Sequence, residues 1–337
     1  MSETAFSGCP PHSNPPLDDN SKRRRAAGGR GGVCMWWLQV MSGAVAALGV
    51  VSTQEASRTG LLVRRYRDGE RTAYHMTASN KDLHRNLEYE ADAVCTVKRN
   101  ADGVFAEEFE WTRLVVNRNP VPLPTREEAI HQVLSRDPAF RLRIPDLSKV
   151  PPSLIGPITD LLTFYADLQL AARDGKLRTP GDHFYFKHGS PSSWADGAIV
   201  CVGEDSIDFD VSLSDVNEKT RTATTVVKHV PPQKSQIRKV SDWTSVPVVA
   251  GVENNWIQVV KTSADSYLGQ VGKETFDVNL TTNLDDGRLA SATLDNVVDV
   301  LERPSKKPDL SLPGPESRYR IVRRIEIKEF SRRDSSN

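Results

Sequence analysis

Apolar and polar residues alternate along much of this chain with a period of two, the mark of strands whose two faces meet different surroundings. In residues 87–99, Tyr89, Ala91, Ala93, Cys95 and Val97 share one face, and Glu88, Glu90, Asp92, Val94 and Thr96 the other. Residues 100–103 turn the chain. Residues 104–116 return it with Phe105, Phe109, Trp111 and Val115 on one side, a long antiparallel hairpin with one wet face. An earlier hairpin is expected where 61–67 and 71–77 flank Asp68-Gly69. Further on, Ile207, Phe209, Val211 and Leu213 alternate with Ser206, Asp208, Asp210 and Ser212, and 220–230 pairs with that run across a turn at 215–219. Residues 255–262 read as another strand. Phe276, Val278, Leu280, Thr282 and Leu284 share a face before Asp285-Asp286-Gly287 turns the chain into 288–301. The last strand, 318–330, points Tyr319, Ile321, Ile325 and Ile327 inward and Arg318, Arg320, Arg324 and Lys328 outward.

Two segments carry the helical period instead. Residues 125–136 open on Thr125 with Glu128 three positions on, a capping box, and Ala129, Ile130, Val133 and Leu134 form an apolar stripe. Residues 157–174 repeat Ile158, Leu161, Leu162, Tyr165 and Leu168 on one helical face, with Pro157 suited to a first turn and Gly175 to a stop. The expected fold class is α+β, a mainly antiparallel curved sheet covered by these two helices. The β-rich stretches at about 60–120 and 183–330, joined by the helical segment 121–182, are halves of one sheet or two lobes.

The first 52 residues follow other rules. Residues 1–32 are rich in Pro, Ser, Gly and Arg and read as a disordered basic leader. Residues 33–52, VCMWWLQVMSGAVAALGVVS, form a charge-free apolar run behind Lys22, Arg23, Arg24, Arg25 and Arg30. Basic flank, apolar run and small-residue exit are the parts of a secretory signal. The run is also near the roughly 20 residues that span a bilayer, so an uncleaved anchor with its N-terminus inside fits as well, and a buried core helix is the third reading. All but the last make 53–337 an exported domain of the periplasm or cell envelope, with membrane contact through 33–52 if the run is retained.

Charge then narrows the partners. The whole chain balances 44 basic against 44 acidic residues; without the leader's five basic and three acidic ones, 39 face 41. A neutral chain with both signs interspersed is not built to neutralise phosphates, so nucleic acid is not an expected partner. Cys95 and Cys201 remain after the leader's cysteines, an even pair in a compartment that permits a disulfide, or else two buried small hydrophobes.

Catalytic patterns are weak. Asp208 and Asp210, near Asp205 and Asp215, fall on the polar face of a strand rather than on a calcium loop. His183 and His188 bracket HFYFKH without a third zinc ligand. Ser190, Ser192 and Ser193 lie near His188 without a GxSxG elbow, and neither GxGxxG nor GxxxxGK[ST] occurs. No catalytic, cofactor or metal residue is therefore expected. The one ligand-like feature is aromatic: Trp111, Phe184, Phe186 and Trp194 could line an apolar pocket, although single aromatics are most often core.

With the leader, YRDGERTAYHM, GKETFDVNLTTNLDDGRLASATLDN and RYRIVRRIEI in view, the chain resembles β-rich exported proteins of environmental bacteria to which no activity is assigned. More remotely it looks like the half-barrel of periplasmic carriers of lipids and lipoproteins. That likeness implies a curved sheet around an apolar ligand and transfers no residue. The expected function is a non-enzymatic envelope protein that binds a lipid-like ligand between sheet and helices. The alternative is a structural or interaction module that meets an envelope protein through a sheet edge or the basic last strand. A filled interior with a free edge would favour the second.

Overall fold

The computed structural model describes residues 60–83, 86–125, 132–134, 149–188, 193–195, 199–201, 207–230, 256–263, 265–307 and 314–330, all within one compact unit, Cys34–Asn337. In chain order the elements are β1 (Arg71–Lys81), β2 (Asn86–Arg99), β3 (Phe105–Val116), β4 (Asn119–Pro120), β5 (Gln132–Leu134), helix α1 (Pro152–Ala171), β6 (His183–His188), β7 (Ser193–Ala195), β8 (Ile199–Cys201), β9 (Ile207–Asn217), β10 (Thr222–Val230), β11 (Trp256–Ser263), β12 (Ser266–Asn283), β13 (Leu289–Ser305) and β14 (Ser317–Phe330). The 14 strands form one sheet, in the order β4-β3-β2-β1-β14-β13-β12-β10-β9-β6. Strand β5 adds to β3, while β11, β8 and β7 branch from β12. Every pairing is antiparallel. Both β-rich stretches enter this one sheet, because β14 pairs β1 on one side and β13 on the other.

This corrects the expectation of two covering helices. Residues 132–134, placed by their apolar stripe in the first helix, are a strand paired with Phe109, Glu108 and Glu107; residues 126–131 and 135–136 lie outside the described residues. A free strand edge offers backbone partners that a short helix must find within itself, and here the edge wins. Among the described residues α1 is the one α-helix, and it does not lie over the sheet as a cover with a wet back. Every residue from Leu154 to Ala171 is buried. It packs on β9, β10 and β12, and Tyr165 also meets Phe109 of β3 edge-on, with ring centroids 5.6 Å apart. The sheet therefore curves around the helix, whose side chains occupy the concave side.

The helix starts earlier than its periodicity implies. Pro152 takes the first-turn position and Pro157 lies inside, where it can donate no backbone hydrogen bond. The Thr159 hydroxyl turns back onto the helix backbone, 2.9 Å from the carbonyl oxygens of both Ile155 and Gly156. The α-helix ends at Ala171, and a 3-10 turn, Arg173–Gly175, follows with Asp174 and Gly175 at φ 58° and 57°.

The strand faces match their alternation closely on β2, β9, β12 and β14. On β3 they do not. Asp92 pairs Arg113 and Ala93 pairs Trp111, so Thr112 is an extra, bulged residue. Beyond the bulge Leu114, 2% exposed, takes the inward place expected of Val115. Residues 61–67 are not a strand either. That segment lies against the β12–β13 turn, where Arg65 N donates to the Asp286 carbonyl at 2.7 Å. Gly287, at φ 69°, packs there so closely that a Cβ would sit 2.6 Å from the Val63 carbonyl carbon.

Candidate functional site

Along β12, β13 and β14 the inward face changes character. Val278, Leu280, Ala292, Leu294, Ile325 and Ile327 line it toward one end; toward the other, Gln270, Glu274, Asn296, Glu302, Tyr319 and Arg323 are interleaved with a small apolar cluster of Val298, Val300 and Ile321. Gln270 Nε2 donates to Glu302 Oε2 at 2.8 Å and Tyr319 OH donates to the same oxygen at 3.0 Å. Asn296 Nδ2 donates to Glu274 Oε1 at 2.7 Å, and Asn296 stands directly opposite Arg323. The Arg323 guanidinium pairs with Asp160 of α1, which also accepts from Tyr89 OH at 2.7 Å. Burial pushes the Asp160 carboxyl upward, opposed by Arg323 and by the Tyr89 hydrogen bond. Burial likewise raises the Tyr89 and Tyr319 hydroxyls, helped by Asp160 and Glu302 respectively. These hydroxyls are fixed donors. The arrangement clamps helix to sheet.

A second ionic group ties residues 60–70 to the sheet. Arg64 Nη2 meets Glu70 at 2.7 Å and its Nε meets Glu107 at 2.9 Å, while Arg288 reaches Glu70 at 3.5 Å and Glu329 at 3.3 Å. Burial would depress the Arg64 guanidinium, but Glu107 and Glu70 outweigh it and raise it overall. Cys95 lies nearby, a free buried thiol pushed up by burial and by Glu107. It is poorly suited to react, since the thiolate is the nucleophile. The disulfide considered between Cys95 and Cys201 is not formed here. Cys201 ends β8, which joins the sheet through β11 and β12, so β1, β14, β13, β12 and β11 stand between it and β2.

Trp111 is part of the hydrophobic core, and Phe184 and Phe186 pack against that same core. Trp111 lies on β3 and Phe184 and Phe186 on β6, at opposite ends of the strand order; Trp194 is in β7, its side chain outside the described residues. Phe184 and Phe186 pack against the core beneath Lys176 and Arg173, whose cations lie 5.0 and 4.6 Å from the ring centroids. Tyr185 between them is 62% exposed. Among the described residues β6 pairs with β9 alone. The basic residues of β14 guard no edge, because that strand is internal and Arg320 meets Asp299 of β13 at 2.7 Å.

His183 lies 3.7 Å from Asp210 on an exposed surface, and the side chains of His188, Asp208, Ser190, Ser192 and Ser193 lie outside the described residues, as does Asp205. The alternation on the first hairpin hid a closer pair: His75 Nδ1 and Asp92 Oδ1 are 2.6 Å apart on the outward face, directly opposite each other on β1 and β2. Cross-strand register, not sequence spacing, is what joins them. Among the described residues no group of three or more His, Cys, Asp or Glu is placed to hold a metal ion. Among them, too, no helix is long and apolar enough to cross a membrane.

The outward face also holds a cavity of about 250 Å³ over β1. Its floor is Thr77 and Ser79, and its walls are longer side chains of the flanking strands: Arg324 and Glu326 on β14, Glu88 and Glu90 on β2. Val115 and Arg118 close one end.

No family model matches this chain, and no curated protein matches it. Among the solved structures that it matches are a mutant of the Rh. blastica porin (6% identity, covering 77% of this chain and 99% of that one, TM-score 0.17) and Pseudomonas aeruginosa OccK10 (OpdN) (8% identity, 79% and 100%, TM-score 0.19). Superposition at that level carries no argument about this protein.

Proposed function

We propose that this chain is a non-enzymatic interaction module of the cell envelope, which receives an extended segment of a partner protein along the edge of β6. The observation that carries this reading is the filled concave side. The volume a lipid chain would need between sheet and helix is taken by Ile158, Leu161, Phe164, Tyr165 and Leu168, each at most 1% exposed. Strand β6 offers the complementary feature. Its backbone is paired on one side among the described residues, Phe184 and Phe186 anchor it from within, and Tyr185 projects outward. Strand addition draws its affinity from main-chain hydrogen bonds and its specificity from alternate side chains, and this edge supplies both. Export is supported by the basic, apolar and small-residue succession of residues 22–52.

A lipid-like ligand remains the second reading, favoured by imperfect polar fit inside. Among the described residues neither amide atom of buried Gln169 nor the indole nitrogen of Trp111 has a hydrogen-bond partner. A carrier of this design would have to displace α1 to load.

One experiment separates the two. A photo-reactive phenylalanine replaces Tyr185 or, as a control on an internal strand, Arg320, and the protein is recovered from its own host's envelope for native mass spectrometry. A discrete protein adduct from position 185 and not from 320, on a chain that otherwise flies bare, is expected. A lipid-sized mass lost on denaturation, with no adduct at 185, would replace the module with a carrier. The same spectrum reads whether residues 1–52 have been removed.

A further inference from the structure

The cavity over β1 has a construction that follows from register. Two cross-strand rows meet there, Arg324–Ser79–Glu88 and Glu326–Thr77–Glu90–Val115. Short hydroxyl side chains in the middle strand and long charged ones on both neighbours leave a trough. Its 250 Å³ falls below the roughly 300–1,000 Å³ that encloses drug-sized ligands, so any occupant is small.

The charges in the trough are not equally committed. Each carboxylate has a cation from outside it: Arg113 reaches Glu90 at 2.8 Å, Lys328 reaches Glu326 at 2.5 Å and Lys81 reaches Glu88 at 3.9 Å. Arg324 has only a loose contact, 3.8 Å to Asp295. Among the described residues Arg118 has no ion pair, and the hydroxyls of Thr77 and Ser79 make no hydrogen bond. The least committed donors are thus the guanidinium groups of Arg118 and Arg324 and two hydroxyls. The free acceptors are the second oxygens of Glu88, Glu90 and Glu326.

Arg118 is also held there against its backbone preference. Asn117 and Arg118 have φ of 48° and 67°, in a tight turn from β3 to β4. Glycine is the comfortable residue at the second of these positions. The turn is fastened to β2: Asn117 N donates to the Glu88 carbonyl and Glu88 N donates to Asn117 Oδ1, both at 2.8 Å. A charged residue held in a strained conformation by its surroundings, at the mouth of a cavity, is where strain serves a site.

We propose that this trough binds a monosaccharide-sized sugar acid. The planar fork of Arg118, with Arg324, takes the carboxylate; Thr77 and Ser79 donate to ring oxygens; sugar hydroxyls donate to Glu88 and Glu90. The mixed lining selects this chemistry, because a bare anion brings no donor to the open oxygens of the three carboxylates and a neutral sugar brings no anion to the guanidinium groups.

Calorimetric titration of the full chain with glucuronate, glucose and inorganic phosphate tests this. Glucuronate is expected to bind saturably, with glucose and phosphate each at least tenfold weaker. Arg118→Gly should lose glucuronate binding at least tenfold while its melting temperature holds or rises, since glycine relieves the turn; Thr77→Val should weaken binding without a stability loss. A uronate disaccharide binding more tightly than the monomer assigns the site to an envelope polymer, and the reverse order assigns it to a free acid. Phosphate or glucose binding as well as glucuronate, an unaltered affinity in Arg118→Gly, or no saturable binding at all overturns the proposal.

Discussion

Two single residues show how the local sequence and its neighbours share control. Gly287 belongs to a turn that the Asp285-Asp286-Gly287 pattern announces, and its requirement for glycine comes both from its positive φ and from Val63, which is 224 positions away in sequence. Gly287→Ala adds a Cβ against backbone that cannot yield and forces a side chain into positive φ. It should cost at least about 2 kcal/mol in urea unfolding; a loss below about 0.5 kcal/mol would mean that the 60–67 segment simply moves aside. Glu329 gives the pH-dependent counterpart. Burial raises its carboxyl above the ordinary value of 4.5; Arg288 opposes this, and the nearby Asp286 and Glu70 add to it. A raised folded pKa means that the folded state holds the proton more tightly, so stability is lost as pH rises through that value. Glu329→Gln should therefore be more stable than the wild type at pH 7 and equal to it at pH 3. Denaturation midpoints at the two pH values check this, and a wild-type advantage at pH 7 would sink it.

At the scale of elements, the helix and last strand depend on one charge pair. Arg323 sits on the inward face of β14 between Ile321 and Ile325, where alternation calls for an apolar residue. Its reason for being there is Asp160, a polar interruption in the helical stripe. Neither residue explains itself alone, and 163 positions separate them. Arg323→Met leaves a buried carboxylate unpaired and should cost about 3–5 kcal/mol, whereas Arg323→Met with Asp160→Leu should cost less than the single change. Urea unfolding of both variants decides it; a single substitution costing under about 1 kcal/mol would show that the pair does not fasten α1. The faces of β2, β9, β12 and β14 were legible because most of each strand alternates without an inserted residue, even where a single position such as Arg323 breaks the apolar pattern. On β3 the Thr112 bulge was not, since an extra residue changes the inward parity without altering composition. Residues 132–134 misled for the opposite reason: a short apolar stripe fits a helix or an edge strand equally, and the available edge of β3 decided.

For the molecule as a whole, the sequence by itself determined that the chain is rich in antiparallel strands, where most of them run, which residues of β2, β9, β12 and β14 face inward, and that residues 158–168 are helical. Those features follow from patterns only two to four residues long, which the backbone reads locally. Tertiary structure alone decided that β14 closes onto β1, that the helix lies inside the curve rather than across it, and that the described helix is buried along its whole length from Leu154 to Ala171. It also placed the β6 edge and set Thr77, Ser79, Arg118 and Arg324 around one cavity. Local periodicity fixes which way a side chain points from its own strand. It carries no information about which strand comes next to it, and sites made across strands depend on that neighbour.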